Sequence, residues 1–247
     1  MDRLVYVAMS GAKETLRAQT ANSYNLANVS TVGFRADLSA FQSQQVQGAG
    51  LPSRAYATDG TVGWDAGSGT VEQTGRNLDV AVQGQGWIAV QSPEGSEAYT
   101  RAGDLRVDPN GQLTTAAGYP VLGDSGPIAV PPYASISVGH DGSIAIVPLG
   151  QTPQTIAVCG RIKLVNPPSD SLERTDGGLF RLQSGGDAPA DATVQLVPGA
   201  LESSNINTAA AMTNMIELAR SYDLQLKSIK SAEDNDASST KLLQTSS

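Results

Sequence analysis

Cysteine and histidine are almost absent from the chain, with one of each, Cys159 and His140, in 247 residues. A single cysteine excludes an internal disulfide, and one Cys with one His cannot supply the ligands of a structural zinc site. Cations are scarce too: 16 Lys and Arg stand against 24 Asp and Glu, a net charge of −8. That balance disfavours nucleic acid and anionic membrane surfaces as partners. Long apolar runs are missing. The run at residues 4–9 holds six residues, short of the roughly 7 to 15 of a secretory signal core and the ~20 of a membrane span. Neither a cleaved signal nor membrane insertion is expected. Aromatics are 5%, whereas glycine and proline number 26 and 13, a composition that favours turns and short strands.

What is present falls into four stretches. Residues 3–28 are predicted helical, because Val5, Met9, Ala12, Leu16, Ser23 and Leu26 recur at spacings of three and four once Gln19 is counted as a polar interruption. The stripe runs into residues 25–34, where Asn28 and Gly33 tolerate positive φ and end the helix. The segment is bounded at 1–36. Residues 37–69 carry Gln42, Gln44, Gln45 and Gln47 and then six glycines, with little periodicity of either kind, and read as an extended connector.

From 70 to 200 the pattern is β. Leu78, Val80 and Val82 alternate with polar or small neighbours, and Trp87-Ile88-Ala89-Val90 begins another run. Asp108-Pro109-Asn110-Gly111 and Gly139-His140-Asp141-Gly142 are hairpin signals, since Asn-Gly and Asp-Gly reach the positive φ of tight turns. Residues 201–247 return to helical spacing over 203–231. Met212, Met215, Ala219, Tyr222, Leu226 and Ile229 form a heptad seam, with Ser203 or Ser204 as N-cap. The tail from Ala232 is mostly polar and is expected to fray. The expected fold is a mainly β central domain with N- and C-terminal α-helices, that is, a discontinuous helical domain plus an all-β domain.

Catalytic patterns fail on context. Gly84-Gln85-Gly86 mimics a dinucleotide fingerprint, but a strand-like run follows it where a helix must hold the pyrophosphate. Gly123-Asp124-Ser125-Gly126-Pro127 resembles the surroundings of a nucleophilic serine. The lone His140 comes after Ser125 with no oriented acid, so a β-turn is the better reading. Cys159 has no basic neighbour before Arg161 and reads as a packing residue. No catalytic, cofactor or metal residue is assigned, and no cofactor is expected. The alternatives of another class are a secreted β-rich hydrolase and a cytoplasmic binding module.

Three ordered motifs carry a resemblance. Asn25-Leu26-Ala27-Asn28-Val29-Ser30-Thr31-Val32-Gly33-Phe34-Arg35 resembles the Asn-Leu-Ala-Asn box of bacterial flagellar rod and hook proteins. The second runs from Thr74-Gly75-Arg76-Asn77-Leu78-Asp79 to Gly84-Gln85-Gly86-Trp87, with Tyr99-Thr100-Arg101-Ala102-Gly103, and is similar to the start of that family's β domain. Gly199-Ala200-Leu201-Glu202-Ser203-Ser204-Asn205 and Ala219-Arg220-Ser221-Tyr222 are similar to its C-terminal signature. The chain resembles the family's proximal-rod members, with distal-rod members as the alternative.

The resemblance implies a non-enzymatic axial subunit of the flagellar basal body, lying in the periplasmic space. It would be exported unprocessed by the flagellar type III apparatus and would assemble with copies of itself and with other rod proteins. It implies, too, that the terminal helices form the inner wall of a tube. The expected subunit interface is Val5, Met9, Ala12, Leu16, Asn25, Leu26 and Asn28 with Met212, Met215, Ala219, Tyr222, Leu226 and Ile229.

Overall fold

The computed structural model describes residues 2–45, 55–151, 155–175 and 177–245. It divides into two compact units, Met1–Asn28 with Ala36–Asp65 and Ile206–Ser247, and Val29–Arg35 with Ala66–Asn205.

The first unit holds helix α1 (Asp2–Ala27), an antiparallel hairpin of Asp37–Gln45 with Ala55–Trp64, and helix α2 (Thr208–Thr245). α1 contains no proline and is rich in alanine, so propensity favours the helix even through Gly11. It stops where Asn28 turns back: its main-chain N–H and its side-chain Nδ2 both donate to the Tyr24 carbonyl, at 3.2 and 2.9 Å. Within residues 37–69, read from the sequence as an extended connector, residues 37–45 and 55–64 form this paired hairpin. Backbone pairing from Asp37↔Trp64 to Gln45↔Ala55, with a bulge at Leu38/Ser39, needs no apolar alternation, so composition does not disclose it.

α2 departs from the expected 203–231 helix at both ends. Its start is delayed because Ala200–Glu202 is claimed as a strand by Val71–Gln73. The cap is therefore Asn207, not Ser203 or Ser204: its Oδ1 accepts the Ala210 N–H at 3.0 Å. Ser203 Oγ instead accepts the N–H of Thr70. The polar tail is helical as far as Thr245, with the hydroxyls of Ser238 and Thr240 donating to carbonyls four residues back.

The second unit is built of small antiparallel sheets. The largest has five strands, in the order Leu164–Val165, Trp87–Gln91, Glu97–Thr100, Phe180–Leu182 and Leu172–Arg174. A three-stranded sheet runs Tyr133–Val138, Ser143–Pro148, Ala157–Arg161. Ile88, Val90, Leu105, Leu113, Ile144 and Leu196 are among the side chains that fill the core between them. Both Asn-Gly and Asp-Gly signals make the hairpins expected of them, with Gly111 and Gly142 at φ 81° and 83°.

Candidate assembly surface and the junction of the motifs

In α1 the buried positions include Ala8, Ala12, Thr15 and Asn22, with Val5, Gln19 and Leu26 half-buried. They mark a heptad, 5-8-12-15-19-22-26. In α2 the covered positions include Ala211, Met215, Leu218, Tyr222, Gln225, Ile229 and Ala232, again stepping by four and three. Two contacts fix how these seams meet: Asn22 Nδ2 donates to the Ala211 carbonyl at 2.8 Å, and Gly11 leaves room for the Gln225 amide, which would lie 2.9 Å from a Cβ there.

The residues expected at the subunit interface divide between this seam and the surface. Val5, Ala12 and Leu26, and Met215, Tyr222 and Ile229, sit on the seam. Met9, Leu16, Met212, Ala219 and Leu226 are exposed, one position away from the residues that took their place. On α1 the seam between Val5 and Leu26 is made of alanine, threonine and amides, whereas on α2 it takes Met215, Leu218, Tyr222 and Ile229 as well as Ala211 and Ala232.

Those outside positions are not scattered. At about 100° per residue, Tyr6, Met9, Lys13, Leu16, Thr20 and Tyr24 share one face of α1 about 80° wide, and Met9 and Leu16 are 53% and 51% exposed. On α2, Met212, Ile216, Ala219, Asp223 and Leu226 make a second heptad row, with Met212 and Ile216 52% and 55% exposed. Tyr6, Tyr24 and Ile216 were missed by sequence reasoning, although Ile216 lies four residues after Met212 and three before Ala219. Asn25 and Asn28 are half-buried and bonded within the unit: Asn28 to Tyr24, and Asn25 to both main-chain groups of Asp37.

In the other unit the motifs converge on Glu202. Its main-chain carbonyl accepts the Gly33 N–H at 2.8 Å. Its carboxylate meets Arg35 Nη2 at 2.7 Å and Arg101 Nη1 at 3.0 Å, and accepts the Gly69 N–H at 2.9 Å. All three charged side chains are buried. Burial pushes the Arg101 guanidinium below its usual range, Glu202 opposes that, and the charge of Arg35 adds to it. Gly33, at φ 67°, passes so close to Arg101 that a Cβ would fall 2.3 Å from its carbonyl carbon. Only glycine fits there. Phe34 is buried beneath Arg174, whose guanidinium carbon lies 4.4 Å from the ring centroid and whose Nη1 donates to the Arg35 carbonyl. Thr74, Asp79 and Gly199 close a second knot: Thr74 Oγ1 donates to Asp79 Oδ2 at 2.6 Å, and the Gly199 N–H donates to the Asp79 carbonyl at 2.7 Å.

The rejected catalytic patterns are turns. Ser125 is exposed in the two-residue loop between Leu122–Gly123 and Gly126–Pro127. His140 is exposed in a hairpin turn, with Nδ1 3.0 Å from the Leu196 carbonyl oxygen. Gly84 and Gly86 pass the chain between strands of different sheets, and a Cβ on Gly86 would meet Val194 at 2.5 Å. Cys159 is half-buried, its thiol pushed up by burial. Among the described residues no group of His, Cys, Asp and Glu could hold a metal ion, and no helix is long and apolar enough to cross a membrane.

Residues 81–146 match the family model of the flagellar hook protein FlgE/F/G D1 domain, and residues 197–242 match that of the flagellar basal body rod FlgEFG protein C-terminal region. The chain is 45% identical over 249 residues to the flagellar basal-body rod protein FlgF of Escherichia coli K12, covering 98% of this chain and 99% of that one. Identity to FlgF of Salmonella typhimurium LT2 is 42% at the same coverage. With the flagellar basal-body rod protein FlgG of Bacillus subtilis 168 it is 33% over 257 residues, spanning 95% of this chain and 96% of that one. Identity at this level over 98% of its length makes this chain a member of the flagellar basal-body rod protein family.

Proposed function

We propose that this protein is a non-enzymatic structural subunit of the flagellar basal body, built into the proximal rod through the uncovered faces of α1 and α2. The observation that carries this reading is the pair of apolar faces described above, Tyr6, Met9, Leu16 and Tyr24 on one helix and Met212, Ile216 and Leu226 on the other. Completing the burial of a half-exposed Leu or Met contributes roughly 1 kcal/mol. Stable incorporation thus requires several such side chains to be covered together. Two different faces on one subunit make heterologous contacts, and heterologous contacts that do not close on themselves generate a helical filament.

The partners are copies of this chain and other rod proteins, in the periplasmic part of the basal body, reached through the flagellar type III export apparatus without signal cleavage. The seam residues Val5, Ala12, Leu26, Met215, Tyr222 and Ile229 act by holding α1 and α2 together; Met9, Leu16, Met212, Ala219 and Leu226 form the contact itself. The test is a pair of double variants, M9E/L16E and M212E/L226E, expressed in place of the parent. The expected result is parent-like circular dichroism of the purified chain, with no incorporation into isolated basal bodies and no swimming. Normal incorporation and normal swimming by both variants would overturn the assignment of the faces.

A further inference from the structure

We infer that Glu202 is a latch that docks the segment Val29–Arg35 onto the β-rich unit, and that the docking is conditional on the strand Ala200–Glu202 having paired with Val71–Gln73. The inference does not depend on the assembly role. It rests on an inequality between two buried arginines that share one carboxylate.

Arg101 is held four ways. Besides Glu202 it has the carbonyls of Gly84, at 2.7 Å from Nη2, and of Val82, at 3.4 Å from Nη1, and its guanidinium carbon lies 5.4 Å from the centroid of the Trp87 ring. Arg35, whose side chain is 1% exposed, meets only Glu202 Oε1 and the Gly67 carbonyl, both at 2.7 Å; the Nε atoms of both arginines make no hydrogen bond and do not distinguish them. Two cations and one anion leave the cluster positive. Without the carboxylate, two guanidinium groups face each other out of water, a situation a protein relieves by expelling the less tethered one. That one is Arg35, and it takes Phe34 and Gly33 with it. The latch comes from the far end of the unit in sequence, so a chain in which residues 200–202 have not yet paired has nothing to neutralise Arg35. The link that follows α1 then stays undocked until the β-rich unit is complete.

Hydrogen–deuterium exchange on the full chain tests this. In Glu202→Gln, amide protection at Gly33 and Phe34 is expected to fall by roughly a hundredfold or more, while Trp87–Gln91 and Glu97–Thr100 keep parent values. The double variant R35M/E202Q removes the stranded cation and is expected to restore protection at Gly33 and Phe34 to within about tenfold of the parent, since an apolar replacement of a buried ion pair is close to neutral. Unchanged protection of Val29–Arg35 in Glu202→Gln overturns the latch, and so does failure of the double variant to recover. If Glu202→Gln yields no folded protein, recovery of folded chain in R35M/E202Q supports the latch and its absence refutes it.

Discussion

Asn25 and Asp37 are joined by two hydrogen bonds, Asn25 Nδ2 to the Asp37 carbonyl at 2.9 Å and the Asp37 N–H to Asn25 Oδ1 at 2.8 Å. The side-chain amide pairs with a main-chain amide as a neighbouring strand would, and it fixes where the hairpin begins relative to the end of α1. Truncation in Asn25→Ala removes both hydrogen bonds at once, at about 1–3 kcal/mol. The expected outcome is faster hydrogen exchange at the Asp37 amide and a lower midpoint of denaturation. Asn25→Asp keeps the acceptor but sets a carboxylate against a carbonyl oxygen, and is expected to cost at least as much as alanine.

Gly11 gives a prediction whose sign depends on side-chain size. An alanine Cβ would meet only the mobile amide end of Gln225, which can shift, while the helix gains up to about 1 kcal/mol in propensity. Gly11→Ala is therefore expected to be neutral or stabilising by up to that amount in thermal denaturation. Gly11→Leu fills the notch between α1 and α2 and is expected to destabilise by about 1–3 kcal/mol. Equal stability of the leucine and alanine variants would mean that α1 and α2 do not meet at this point.

Two carboxylates give opposite pH slopes. The Ser143 hydroxyl and main-chain N–H, both donating to Asp141 Oδ1, hold the Asp141 carboxyl below its usual range. Its contribution is present above the unfolded-state pKa and is lost as pH falls through the lower folded value. Burial raises the Asp104 carboxyl instead, so its contribution is present at acid pH and is lost as pH rises through the folded value. In denaturation measured across the carboxylate range, Asp141→Asn is expected to weaken the loss of stability on acidification. Asp104→Asn is expected to stabilise near neutrality and to converge with the parent at low pH.

Much of the fold was legible in local chemistry. The Asn-Gly and Asp-Gly turns, the exposed setting of His140 and Ser125, and the two terminal helices follow from φ preferences and periodicity that a few residues carry on their own. The exact seam did not. Met9 and Met212 give way to Ala8 and Ala211, while Leu218 takes the place of Ala219, so the rule that large apolar groups lie inside does not by itself place the seam. The 37–45 hairpin was invisible because backbone pairing sets it, and the Glu202 junction because its four contributors lie in segments scattered along the chain. Gly33 was read correctly as a residue at positive φ. That it must also clear the Arg101 backbone is a tertiary fact with no local signature.

Pairing of Val71–Gln73 with Ala200–Glu202 brings the two ends of the intervening span together, Gln73 opposite Ala200, one strand spacing or about 4.8 Å apart. An insert within residues 74–199 therefore need not spread the two strands, provided it leaves in place Arg101 and Arg174, which reach out of the span to Glu202 and to Phe34 and Arg35. Loops remote from those two arginines are where evolution or an engineer could lengthen or prune the span.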